Sequence, residues 1–177
     1  MLMMLMSDPD FSDRLMDKCM VTAREFARAQ VEAGCDVIGI GDAICSQIDL
    51  EMYDTFVKNR HMDLVDYIHS TGSKVKLHIC GNITHLLPSL KDLQLDILDI
   101  DWQVDFEEAH RIMGDRVVLC GNINPVKIQD ATEEEIDKTV RELVWKEENQ
   151  KFICSGGCEI TVNTPPRNLL AMRKAIE

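Results

Sequence analysis

The chain has 177 residues, 45% hydrophobic and 28% charged, with 31 acidic against 19 basic side chains and a formal net charge of -12. That length suits one domain with a real core and is too short for two ordinary ones, so residues 1–177 are read as a single domain. The acid excess, without a Lys/Arg run, excludes nucleic-acid backbone binding as the main business, and seven scattered cysteines exclude a secreted disulfide framework and point to a reducing, cytoplasmic setting.

The opening Met1-Leu2-Met3-Met4-Leu5-Met6 is apolar but has no basic flank and stops at Ser7-Asp8-Pro9, so it is neither a signal nor a membrane span. Such a start is expected to lie inside a helix whose upstream partner is missing, as in a piece of a larger fold. Ser7-Asp8-Pro9 itself starts a helix. Three junctions then repeat one form: Ala33-Gly34-Cys35-Asp36 before Val37, Thr71-Gly72-Ser73-Lys74 before Val75, and Met113-Gly114-Asp115-Arg116 before Val117. A glycine that closes a helix, followed three residues later by a strand, is an αβ loop of constant length.

The strands so predicted are Val37–Gly41, Val75–Ile79, Asp96–Asp101, Val117–Cys120 and Phe152–Cys154. Helices fall between them, with further starts at Thr132-Glu133-Glu134-Glu135, a capping box, and at Thr164-Pro165, with proline at the first helical position. Alternating helix and strand with short connections gives an α/β fold with parallel strands, either an open doubly wound sheet or part of a (β/α)8 barrel. The polar clusters favour five βα units of the barrel. Each lies on the βα side of its strand, where barrel enzymes carry their chemistry: Gly41-Asp42, His78 to Asn82, Asp99 to Asp101, Cys120 to Asn124, and Cys154 to Glu159.

His78 and Cys80 are two apart on a strand and project to one face, whereas Ile79 points the other way into packing. With Cys158, carried past its strand by Ser155-Gly156-Gly157, they form a metal site of the type that suits zinc: three N/S ligands and an open position. Asp101 offers a fourth, displaceable ligand or else caps the next helix. Asp42 ends its strand in the right layer, either to orient substrate or to shape the loop. Cys120 is read as core or as support for the site. Cys19, Cys35 and Cys45 are read as bland, and His61, His69, His85 and His110 as helix-end or solvent-exposed residues.

Through Ala33-Gly34-Cys35-Asp36, His78-Ile79-Cys80-Gly81-Asn82, Cys120-Gly121-Asn122-Ile123-Asn124-Pro125 and Ser155-Gly156-Gly157-Cys158-Glu159-Ile160 the chain resembles the uroporphyrinogen decarboxylase superfamily. Within it, the chain resembles the zinc-dependent methylcobamide:coenzyme M methyltransferase branch. The resemblance implies the C-terminal five βα units of a TIM barrel, zinc held by His78, Cys80 and Cys158 with Asp101 near a fourth position, and methyl transfer from a methyl-corrinoid on a separate protein to a thiol such as coenzyme M. A metal-free decarboxylase relative and a non-catalytic half-barrel interaction module are the alternatives. A five-strand arc exposes two sheet edges, so self-association or a partner supplying the missing barrel half is expected.

Overall fold

The computed structural model describes residues 2–147 and 151–177; Met1, the first residue of the apolar opening, lies outside them. Helices α1 (Leu2–Ser7) and α2 (Pro9–Glu32) lead into β1 (Val37–Gly41), followed by a short turn, Ala43–Gln47. A brief helix, α3 (Leu50–Met52), runs through a widened turn, Tyr53–Val57, into α4 (Lys58–Ser70) and then β2 (Lys74–Ile79). The chain continues through α5 (Leu87–Leu90), β3 (Ile97–Ile100), α6 (Phe106–Met113), β4 (Val118–Ile123), α7 (Pro125–Asp130), α8 (Glu133–Lys146), β5 (Phe152–Gly156) and α9 (Pro166–Ile176).

Local chemistry accounts for the boundaries. Asp8 accepts the Phe11 N–H at 3.0 Å and starts α2 with Pro9 at its first position. Thr132 and Glu135 complete a reciprocal capping box on α8. Gly34 closes the segment before β1 with φ +93° and Gly72 does the same before β2 with φ +86°, a region that other residues rarely adopt. The start of α9 falls one residue later than its Thr-Pro pair suggests, because Pro165 is the cap and Pro166 the first helical residue.

The strands form one parallel sheet in sequential order, β1-β2-β3-β4-β5. Register aligns Gly41 with His78, His78 with Asp99, and Asp99 with Cys120. On β2 the odd positions Val75, Leu77 and Ile79 are buried in the main core, and Lys76 and His78 face the other side. There Lys76 Nζ sits 2.6 Å from Asp99 Oδ2.

Two apolar clusters hold the layers. The larger gathers Val65, Ile68, Leu87, Leu90, Leu98 and Leu119 between the sheet and the helices from α2 to α6. The smaller joins Ile123 and Ile128 to Ile136, Val140, Ala171 and Ala175 under α7, α8 and α9. No described helix is long and apolar enough to cross a membrane.

Several strand limits differ from the sequence reading; the starts of β2 and β4 each move by one residue, to Lys74 and Val118. β4 runs on to Ile123 and β5 to Gly156, because Gly121, Asn122 and Ile123 pair with Cys154, Ser155 and Gly156 instead of forming loops. β3 is shorter at both ends: Asp96 turns its carboxylate to the Val75 N–H at 2.9 Å, and Asp101 turns its own to the Gln103 N–H at 3.0 Å.

Candidate metal centre

The ends of β2 and β5 meet above the sheet. Two strands intervene, and a flat sheet would hold β2 and β5 about 14 Å apart at ordinary strand spacing. Curvature of the sheet and the fold-back of the loop after β5 bring Cys80 Sγ and Cys158 Sγ to 3.4 Å, although 78 residues separate them in sequence. Gly157 makes the fold-back possible. Its N–H donates to Ile123 O at 2.8 Å, and it lies flat against the backbone of Trp102, where any side chain would collide.

His78 Nε2 lies 3.2 Å from Cys80 Sγ, and its Nδ1 donates to the Asp99 carbonyl at 3.0 Å. That second bond fixes the ring so that Nε2 faces the two sulfurs, the orientation a metal-ligating imidazole requires. Among the described residues these three side chains form one of two groups whose ligand atoms lie within 4.8 Å of one another. Tetrahedral zinc, with bonds of about 2.3 Å to sulfur and 2.0–2.1 Å to nitrogen, separates two sulfurs by about 3.8 Å and nitrogen from sulfur by about 3.6 Å. The observed spacings need open by only a few tenths of an ångström, so the donor set fits.

Electrostatics prime the same trio. The Asp99 carboxylate, 3.6 Å from Nδ1, raises His78 to about 9, more than burial takes away. Burial and the neighbouring Cys158 push Cys80 up to about 11, with the Asp101 charge adding to the rise. Burial also works against a charge on Cys158, but the bonds from His78 and Cys80 outweigh it and hold this thiol below the ordinary value. The imidazole and the two sulfurs are thus joined by hydrogen bonds whose protons a metal must displace.

Asp101 lies just beyond β3 and is almost fully buried, with one oxygen on Gln103 N and its charge felt at Cys80. Cys120 is buried on β4 beside Asp99, and Cys154 packs with the smaller core rather than with His78. Asp42 follows β1, where its N–H donates to the His78 carbonyl. Burial opposes the charge of Asp42, but hydrogen bonds from His61 and Cys45 hold its carboxyl below the ordinary range.

Two residues depart from their sequence reading. His61 is neither exposed nor at a helix end: it is buried within α4, with Nδ1 2.9 Å from Tyr53 Oη and Nε2 3.2 Å from Asp42 Oδ2. Cys45 is buried against the same carboxylate. The Asp-x-x-Cys spacing of Asp42 and Cys45 was a signal for the second of these; nothing local marked His61, which arrives through the packing of α4. His69 does lie in the last turn of α4, paired with Asp96.

The whole chain, residues 1–177, matches the family described as Uroporphyrinogen decarboxylase (URO-D). It is 32% identical over 165 residues to a methylcobamide:CoM methyltransferase, MtaA, of Methanosarcina barkeri, covering 92% of this chain and 48% of that protein. It is 27% identical over 167 residues to a uroporphyrinogen decarboxylase of Prochlorococcus marinus (strain MIT 9312), covering 93% and 48%. In three dimensions it resembles a methyltransferase from Methanosarcina mazei, with a TM-score of 0.89, 25% identity, and coverage of 98% of this chain and 51% of that one. A putative vitamin-B12 independent methionine synthase from Listeria monocytogenes shares the fold at a TM-score of 0.65 and 18% identity. The chain thus spans about half the length of the curated relatives it matches.

Proposed function

Because this chain belongs to the uroporphyrinogen decarboxylase (URO-D) family, with its α/β architecture of five parallel βα units of a TIM barrel, we propose that it is the C-terminal part of a zinc-dependent methyltransferase of the methylcobamide:thiol type. One observation carries the reading: an imidazole nitrogen and two sulfurs from β2 and from beyond β5 converge with the spacing and donor set of a zinc site.

His78 through Nε2, and Cys80 and Cys158 through their sulfurs, hold the metal, while Asp99 keeps the imidazole in place. Zinc bound there supplies one chemical service, the conversion of a thiol to a thiolate at neutral pH. Asp101, almost fully buried just beyond β3 with its charge felt at Cys80, would be the displaceable fourth ligand and the group to accept a thiol proton. Asp42, one strand away and partly exposed, orients the substrate. The acceptor is a small thiol such as coenzyme M and the donor is a methyl-corrinoid on a separate protein; the name of the Methanosarcina barkeri relative pairs these two reactants. The sulfur–carbon bond forms as the carbon–cobalt bond breaks. The outer edges of β1 and β5 are unpaired among the described residues, and self-association or a partner supplying the other barrel half covers them.

The test is metal content by mass spectrometry on protein purified without added metal, alongside Cys80→Ser and Cys158→Ser. About one zinc per chain at this centre, lost in both variants, is expected. Zinc content unchanged by both substitutions would overturn the reading, and zinc absent altogether would do so in favour of a metal-free decarboxylase relative.

A further inference from the structure

The second group of metal-binding side chains lies one strand away and plays no part in holding the first metal. Asp42 follows β1, Cys45 sits three residues on in the turn Ala43–Gln47, and His61 comes from α4; a carboxylate oxygen, a sulfur and a ring nitrogen lie within 4.8 Å of one another. Cys45 and His61 are 2% and 5% exposed, whereas the Asp42 side chain keeps 33% of its surface. The cluster therefore has a dry back and one open side.

Its ligand atoms are already aimed. The hydroxyl of Tyr53, a fully buried residue, holds His61 Nδ1 at 2.9 Å, so Nε2 is the nitrogen presented to Asp42 Oδ2 at 3.2 Å. A metal-binding imidazole is fixed in just this manner through its second nitrogen. Asp42 and Cys45 ride on one turn, joined by the bond from Cys45 N to Asp42 O at 3.3 Å. That turn is clamped from above, because Ser46 packs over Gly81 so closely that an added Cβ would stand 3.0 Å from its hydroxyl.

Without metal the group is a closed hydrogen-bond network, with imidazole and thiol both donating to the Asp42 carboxylate. Burial and the Asp42 charge push the Cys45 thiol well above the ordinary range. A divalent ion displaces the thiol proton while the ring proton shifts to Nδ1, facing Tyr53 Oη, and one thiolate with one carboxylate neutralises the ion within a largely buried site. Sulfur, nitrogen and oxygen donors, three from protein, are the set that suits zinc with a water in the fourth place.

We propose that Asp42, Cys45 and His61 form a second zinc site, distinct from His78, Cys80 and Cys158, whose open position faces the strand ends. A metal-bound water, rather than the bare Asp42 carboxylate, is then what this strand end offers to a substrate. The proposal stands independently of the methyl-transfer reading.

Cobalt(II) titration of the full chain under reducing conditions tests it, read by visible ligand-field bands and the near-ultraviolet thiolate-to-cobalt band, with zinc stoichiometry in parallel. The unaltered chain is expected to take up about two metal equivalents and the Cys80→Ser/Cys158→Ser double variant about one. Adding Cys45→Ala or His61→Gln to the double variant abolishes that remaining uptake while circular dichroism stays native. Tyr53→Phe, which removes no ligand, weakens it by about 10- to 100-fold. A double variant that binds no cobalt overturns the second site even where the first is intact. So does an equivalent that survives Cys45→Ala with its thiolate band, or one indifferent to both His61→Gln and Tyr53→Phe. If the first site alone is wrong, the unaltered chain binds one equivalent that ignores Cys80→Ser and is lost in Cys45→Ala.

Discussion

Gly157→Ala tests whether the geometry of the β5 loop, and not merely its cysteine, makes the metal centre. An alanine Cβ at this position would stand 2.8 Å from Trp102 Cα and 2.9 Å from Trp102 Cβ, and closer still to the Trp102 nitrogen. Ordinary carbon contacts need about 3.5–4.0 Å, so one partner must retreat by about 1 Å. Trp102 is poorly placed to yield, because Asn122 Nδ2 ties the carbonyls on either side of it, Asp101 O at 3.1 Å and Val104 O at 2.7 Å. The loop moves instead, straining the Gly157 N–H bond to Ile123 O and drawing Cys158 away from a partner sulfur 3.4 Å distant. A separation of about 4.4 Å overshoots the 3.8 Å or so that tetrahedral zinc tolerates. At the usual overpacking cost of about 1–3 kcal/mol, zinc affinity falls by about 5- to 150-fold. Competition against a chromophoric chelator measures it, with Gly39→Ala, which meets nothing within 4 Å, as the comparison. Wild-type affinity in Gly157→Ala would refute the close approach to Trp102 as the device that positions Cys158.

Three further outcomes follow from the scaffold. Leu98→Ala empties a fully buried position in β3 and lowers unfolding free energy by about 2–5 kcal/mol in urea titrations. Thr132→Ala removes one half of the capping box and costs about 1 kcal/mol in the same assay. Acid weakens the fold through Asp96 and Asp99. Burial opposes both charges, but for Asp96 the Val75 N–H, His69 and Lys74, and for Asp99 His78 and Lys76, more than compensate and hold the folded carboxyls below their ordinary value. Their contribution is thus full above the unfolded carboxylate value of about 3.9 and is lost as pH falls through the lower folded values, so the urea midpoint drops below about pH 4. Asp96→Asn shows a smaller acid-dependent drop; an unchanged pH profile in that variant would remove Asp96 from the account.

Glycine-closed helices, β-branched runs and period-two placement made the five strands and their parallel order legible in the sequence, because those signals are local. His78 and Cys80 were legible as a pair for the same reason, since residues two apart on a strand share a face. The reach of β4 and β5 was not, because Gly121 and Gly156 read as turn residues; in the fold both are glycines that neighbours approach closely, Ile100 O in one case and the Ile160 side chain in the other. The setting of Asp42 was hidden more deeply. Its partner His61 looks like any polar residue of an amphipathic helix until α4 docks and turns it inward onto Tyr53. Polar groups paired across long sequence separations leave no periodic trace.

The 78-position separation of Cys80 and Cys158 also orders events during folding. Neither β2 nor the β5 loop can grip a metal by itself, so the trio exists only after β2, β3, β4 and β5 have paired in sequence. An ion gripping both sulfurs closes a loop whose entropy in the unfolded chain is worth about 4.5 kcal/mol, and that constraint favours the native state. Metal capture by His78, Cys80 and Cys158 would thus be the last stitch of sheet assembly: a nascent chain halted before residue 158 lacks the third ligand of that centre, and one that has filled it is committed to its curvature.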